Sequence, residues 1–130
     1  METSILSLAK VMCFVATADH VRAKDYYSEV LGLTFVSDDE YSLIFAVGDA
    51  TILRIQKYPG LVPQQFTVFG WEVLDIETAV TELAERGVMF ENYGFPLQDS
   101  RGVCTFPNGD KVAWFKDPDG NTLSIAQIVR

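Results

Sequence analysis

Laid over itself, the chain repeats. Asp19 and Asp75 stand 56 residues apart, and each follows a short apolar run, Phe14-Val15-Ala16-Thr17 in one case and Gly70-Trp71-Glu72-Val73 in the other. After each Asp comes an amphipathic stretch. Ala23, Tyr26, Tyr27 and Val30 recur at helical spacing in the first, and Ile76, Ala79, Val80 and Leu83 in the second. Asp is a preferred N-cap residue, Glu77 places an anion in the first turn, and Gly32 and Gly87 supply left-handed C-terminal positions. Helices are predicted from after Asp19 to about Leu31 and from after Asp75 to about Arg86. Further on, Phe45 matches Phe115, and Leu53-Arg54-Ile55 matches Leu123-Ser124-Ile125, at a spacing of 70. The extra length falls in the loops of the second half.

The remaining segments are short, rich in Val, Ile, Phe and Thr, and punctuated by turn residues. Strands are predicted at 11–17, 33–37, 42–47, 51–56, 66–73, 88–91, 101–106, 111–116 and 122–127. Asn108-Gly109 marks a tight hairpin, and Asp117-Pro118-Asp119-Gly120 a second strong turn. Each half therefore reads strand, helix, three strands. One βαβββ unit cannot cover both faces of its sheet, but two can pair around a curved cleft. The expected fold is α+β: a single domain over 1–130, built of modules at about 8–57 and 66–129, joined by a Pro- and Gly-containing linker at 57–65, with the helices outside.

The length of 130 residues suffices for an ordinary core without staples. Ten Lys and Arg against 18 Asp and Glu give a net charge of -8, which argues against nucleic acid or an anionic membrane as a partner. Cys13 and Cys104 are too few for a secreted disulfide scaffold, and no CxxC or Cys/His cluster suggests zinc. They read as reduced, partly buried thiols. The beginning Met1-Glu2-Thr3-Ser4 does not look like a signal peptide, no apolar run approaches membrane-spanning length, and a cytoplasmic location is expected.

The duplicated βαβββ layout carries two motifs. One is Asp19-x-x-Arg22-Ala23-x-x-Tyr26-Tyr27-x-x-x-Leu31-Gly32-Leu33, and the other is Phe115-Lys116-Asp117-Pro118-Asp119-Gly120-Asn121-x-Leu123. Together they resemble the vicinal oxygen chelate superfamily, which includes glyoxalase I, extradiol dioxygenases, fosfomycin-resistance transferases and bleomycin-resistance binding proteins. The resemblance runs from about Val11 to Gln127. It implies the fold but not the reaction, because the motifs are structural. In metal-dependent members it implies four ligand positions, usually His or Glu, on the first and last strands of each half. The first-strand position lies seven residues before the capping Asp. These positions hold Met12, Arg54, Val68 and Ser124 here. Val has no donor, Arg is a cation, a thioether suits only soft ions, and Ser alone is a poor ligand. His20, the lone histidine, is expected at the surface on the first helical turn. The resemblance is therefore to a metal-free member, with no cofactor.

Strand alternation then lists the cleft. With Met12 facing it, Phe14 and Ala16 follow, and with Val68, Gly70 and Glu72. Ile52, Arg54 and Gln56 line it beside Thr122, Ser124 and Ala126. Cys13, Val15, Phe69, Trp71, Leu53, Ile55, Leu123 and Ile125 go under the helices. One of Trp114 and Phe115 reaches the cleft and the other is buried. Tyr41 and Arg101 are weaker candidates for the rim, and 37–40 reads as a solvated hairpin turn. A mostly apolar cleft with isolated polar groups is the composition of small-molecule sites. The expected ligand-binding set is Met12, Phe14, Arg54, Val68, Glu72, Trp114 and Ser124, with no catalytic residue. In one reading Arg54 and Glu72 pair with each other. Otherwise Arg54 meets a carboxylate or phenolate, and Glu72 a cation.

The leading expectation is a homodimer that sequesters a small organic ligand, as bleomycin-resistance proteins do. The alternative is a lyase, isomerase or dioxygenase, either metal-dependent through other ligands or metal-free with Glu72 as acid or base. A third reading is an interaction module whose cleft is filled by its own side chains.

Overall fold

A computed structural model describes residues 4–130. After a four-residue helical turn, α1 (Ile5–Leu8), the first module runs β1 (Met12–Thr17), α2 (His20–Asp25), β2 (Thr34–Asp38), β3 (Ser42–Val47) and β4 (Thr51–Lys57). The second runs β5 (Thr67–Glu72), α3 (Ile76–Glu85), β6 (Cys104–Thr105), β7 (Lys111–Lys116) and β8 (Thr122–Gln127). Each module forms a four-stranded mixed sheet, in the order β1-β4-β3-β2 and β5-β8-β7-β6. The orders are equivalent strand for strand, so the repeat read from sequence is a repeat of topology. The first and last strands of each module pair in parallel, Phe14 beside Arg54 and Gly70 beside Ser124, and the other pairs are antiparallel. The two sheets adjoin where β1 meets β5.

Both helices start as expected. The Asp19 carboxylate accepts the Arg22 N–H at 3.2 Å, and the Asp75 carboxylate accepts those of Glu77 and Thr78 at 3.1 and 3.3 Å. The first helix does not stay regular to Leu31. From Tyr26 to Val30 it widens into a π-helical turn, with the Leu31 N–H donating to the Tyr26 carbonyl at 3.0 Å. Such bulges insert a residue and re-aim side chains, which hydrophobic spacing alone does not reveal. The widened segment buries Tyr27 completely. Gly32 and Gly87 both take the positive φ that ends their helices, at 72° and 102°.

Two predicted strands change. Residues 88–91 form no strand: Phe90 makes a single bridge to Phe115. Of 101–106 only Cys104 and Thr105 pair, against β7. Gly94 and Gly102, both at positive φ, and Pro96 break up the intervening chain. Phe90 nevertheless packs in the second module as Phe35 does in the first. Phe35 meets Phe45 edge-on at 5.6 Å and 71°, and Phe90 meets Phe115 at 5.6 Å and 73°.

One face of each sheet is buried under the helices. Val15, Tyr27, Leu43, Phe45, Leu53 and Ile55 form that core in the first module, with Phe69, Ile76, Val80, Phe115, Leu123 and Ile125 in the second. Cys13 and Trp71 pack against its edge. Both cysteines are free thiols, Cys104 buried and Cys13 partly so.

The turn between β7 and β8 is more than a turn. Asp119 accepts the Thr17 hydroxyl at 2.6 Å and the Ala18 N–H at 2.9 Å, and Asn121 donates to the Ala16 carbonyl at 2.8 Å. The Tyr27 hydroxyl donates to the buried Asp117 carboxylate at 2.7 Å. Four hydrogen bonds thus tie the second module's turn to the end of β1 and to the first helix. The linker crosses above it, with Pro63 against Gly120.

Candidate functional site

The second face of each sheet carries no helix. Period-two alternation puts Met12 and Phe14 of β1, Arg54 of β4, Val68 of β5, Ser124 of β8 and Trp114 of β7 on it. Met12, Phe14 and Val68 are 44%, 50% and 37% exposed, a high value for large apolar side chains on the two strands where the sheets adjoin. Within one chain this face is an open surface rather than an enclosed cleft.

Two hollows lie on it side by side, meeting at the start of β5. One, of about 190 Å³, is bordered by Phe14, Ala16, Gln56 and Val68, with Leu61 and Val62 of the linker at its rim. It brings together residues of both modules. The other, of about 340 Å³, is walled by Phe66, Tyr93, Phe95 and Trp114, with Thr122 beside them. Tyr93, Phe95 and Trp114 pack mutually at 5.5 to 6.2 Å between ring centres. Such ring clusters offer π surface to a planar or cationic guest. Burial, and then the nearby Glu91 carboxylate, raise the pKa of the Tyr93 hydroxyl.

The choice between Trp114 and Phe115 is thereby made: Phe115 is in the core and Trp114 looks onto the open face. Phe66, Tyr93 and Phe95 were absent from the sequence-derived set. The signal was there in Tyr93-Gly94-Phe95-Pro96, where two aromatics sit in a Gly/Pro loop that no core pattern claims.

Arg54 and Glu72 do not pair. Glu72 is gripped by Arg130 at 2.6 Å, and Arg54 makes one long hydrogen bond, 3.4 Å, to the Ser42 hydroxyl. β1 stands between β4 and the other sheet, and the chain end beside β5 supplies a nearer cation. Ser124 packs on Gly70, where a Cβ would come within 2.5 Å of its hydroxyl oxygen. Arg101 is not at the rim: it bonds Glu77 at 3.0 Å and Thr81 at 2.6 Å on α3, on the helical side. Tyr41 is exposed beside the 37–40 turn, where Asp38 meets Lys57 at 2.7 Å. His20 is exposed at the start of α2.

A family model described as "Glyoxalase/Bleomycin resistance protein/Dioxygenase superfamily" matches residues 8–125. The chain belongs to this superfamily. No curated protein matches it in sequence. Among solved structures, a glyoxalase/bleomycin resistance protein/dioxygenase superfamily member from Sphaerobacter thermophilus is 25% identical with a TM-score of 0.72, over 92% of this chain and 97% of that one. TnmS3, an antibiotic binding protein from Streptomyces sp. CB03234, is 24% identical with a TM-score of 0.68, over 99% of each chain. A bleomycin-binding protein complexed with bleomycin is 20% identical with a TM-score of 0.71, over 93% of this chain and 99% of that one. The last two likenesses speak to the fold alone.

Superfamily membership brings a test for a metal. The motif positions at which metal-dependent relatives place ligands carry Met12, Arg54, Val68 and Ser124. A thioether, a guanidinium, an isopropyl group and one hydroxyl do not make a site for a hard or borderline divalent ion. Among the described residues, no group of three or more His, Cys, Asp or Glu side chains is placed to hold one. No helix among them is long and apolar enough to cross a membrane.

Proposed function

We propose that this superfamily member is a metal-free protein that binds and sequesters a small organic molecule, with a second copy of the chain closing over the open sheet face. The observation that carries the reading is that face: Met12, Phe14 and Val68 exposed beside the hollow of Phe66, Tyr93, Phe95 and Trp114. Monomeric soluble proteins rarely leave a contiguous apolar surface of this kind without a use. A two-fold copy laid on it would turn shallow hollows into enclosed ones, and isologous dimers are the commonest assembly. Two relatives of the same fold are named for antibiotic or bleomycin binding, which agrees with this use of the surface. Arg54, whose guanidinium has donors to spare, would hold an oxyanion of the guest. An acid–base enzyme built on Glu72 has less support, since that carboxylate is exposed and engaged by Arg130.

A thermal-shift screen against cationic antibiotics, bleomycin included, and aromatic acids tests the reading. At least one compound is expected to stabilise the protein, and Trp114→Ala to remove most of the shift. If neither class stabilises it, sequestration of such compounds is wrong. Metal analysis of the purified protein is expected to find no stoichiometric zinc, iron or nickel, and finding one would sink the metal-free part.

A further inference from the structure

A third hollow lies on the opposite, helical side of the second sheet, at the seam between the modules. It measures about 370 Å³. Its walls are Leu33 from the segment after the first helix, Trp71 of β5, and Ala79 and Leu83 of α3, with Phe115 and Ile125 of the sheet below. Leu33, Trp71, Ala79 and Leu83 are only partly buried, so apolar surface is left facing the hollow. Trp71 lies nearly parallel to Phe115, at 12° and 6.3 Å, and forms one flat side.

The charges around the mouth already have partners within the protein, Glu72 the closest of them. Glu72 is held by Arg130 at 2.6 Å. Arg86 sits 3.9 Å from Glu82 and donates to the Glu29 and Val30 carbonyls, both at 3.4 Å, where it caps the first helix from the other module. Gly32 gives that guanidinium its room, since a Cβ there would stand 3.1 Å from Nη1. An ionised guest would lose hydration and would have to compete with these partners for any charge at the mouth. An uncharged one loses little and gains apolar contact with both modules. The volume is at the small end of ligand pockets, enough for one or two rings.

We propose that this seam pocket is a second binding site, for a small uncharged ring compound, separate from the open sheet face. Strand alternation provides the means to tell the two apart: Trp71 borders the seam pocket and Trp114 the open face, and they are the only tryptophans. The proposal does not depend on what binds at the open face.

The test uses Trp114→Phe, which leaves Trp71 as the sole indole reporter. Nitrobenzene and coumarin serve as uncharged probes, with benzoate and benzylamine as charged counterparts. Saturable quenching of Trp71 is expected from the uncharged pair, at concentrations about tenfold below those needed for the charged pair. Ala79→Phe, which fills the pocket, is expected to abolish the saturable part. In the wild-type protein, coumarin is expected to shift the backbone amide NMR signals of residues 31–33 and 79–83. Quenching that rises linearly without saturation overturns the proposal, as does an equal response to benzoate. So do undiminished quenching in a folded Ala79→Phe variant, amide shifts confined to the neighbourhood of Phe95 and Trp114, and a pocket closed off by a second copy that gives no Trp71 response.

Discussion

Asp117 and Asp119 belong to one turn and both accept hydrogen bonds from the other module, yet only Asp117 is buried. Burial pushes the Asp117 carboxyl above its ordinary value of 3.8, while hydrogen bonds from Asn121 and Tyr27 pull the other way without cancelling it. A carboxyl raised in the folded state binds its proton more tightly there than in the unfolded chain. Its contribution to stability is therefore full below 3.8 and declines as pH rises through the folded-state pKa. In urea titrations from pH 4 upward, wild type is expected to lose stability relative to Asp117→Asn, even if the amide variant is the weaker of the two throughout. A constant difference would refute the assignment. Burial, followed by the Asp117 charge, also lifts Tyr26 to about 12 and Tyr27 well above the ordinary tyrosine value, so both hydroxyls stay protonated across that range. Tyr27→Phe keeps the ring and deletes the donor to Asp117, and it is expected to cost about 1–3 kcal/mol in equilibrium unfolding.

The elements themselves were mostly legible, because their signals are local. Asp19 and Asp75 as caps, Gly32 and Gly87 as stops, and the alternation of β1, β4, β5 and β8 all act over a few residues. Asp75→Ala is expected to lower the urea midpoint at pH 7. Hydrogen bonds from Thr78 and Glu77 hold this carboxyl below 3.8, so its contribution is present above that value and disappears as pH falls through the lower, folded-state pKa. The deficit of the variant should close over the same interval. What the sequence did not reveal needed distant partners. The π-helical turn at 26–30 goes with a buried tyrosine whose acceptor lies 90 residues away. The 88–91 stretch reads as a strand because Phe90 must be buried, but packing on Phe115 satisfies that without a ladder. At the site, the apolar strand residues were readable by parity, whereas the Tyr93–Phe95 wall comes from a loop and obeys no period. Gly70 likewise looks like a weak strand residue until β8 is beside it. Gly70→Ala would bring a Cβ to 2.7 Å from the Ser124 carbonyl oxygen as well as 2.5 Å from its hydroxyl. A loss of about 1–3 kcal/mol is expected in chemical denaturation. Adding Ser124→Ala should recover part of it and not all, since the carbonyl remains.

At the scale of the molecule, two similar halves share the work unequally. The first module contributes Phe14 and Arg54 to the open face, and the second adds the aromatic wall and the turn that fastens the halves together. The proposed dimer predicts a mass near twice that of one chain in light scattering, and exposure of Met12, Phe14 and Val68 to solvent only on dilution to monomer. Prolonged dialysis against a chelator is expected to leave the melting temperature unchanged, and a fall would reopen the question of a metal. The fastening turn also bears on how the chain reaches this state. Thr17 and Asp119 are 102 residues apart, and Tyr27 and Asp117 are 90 apart. Contacts of such separation close late, because loop entropy must be overcome before they form. During synthesis, all of residues 1–57 are made before Asp117 exists, so the Tyr27 hydroxyl cannot meet its native acceptor until the turn between β7 and β8 has been made.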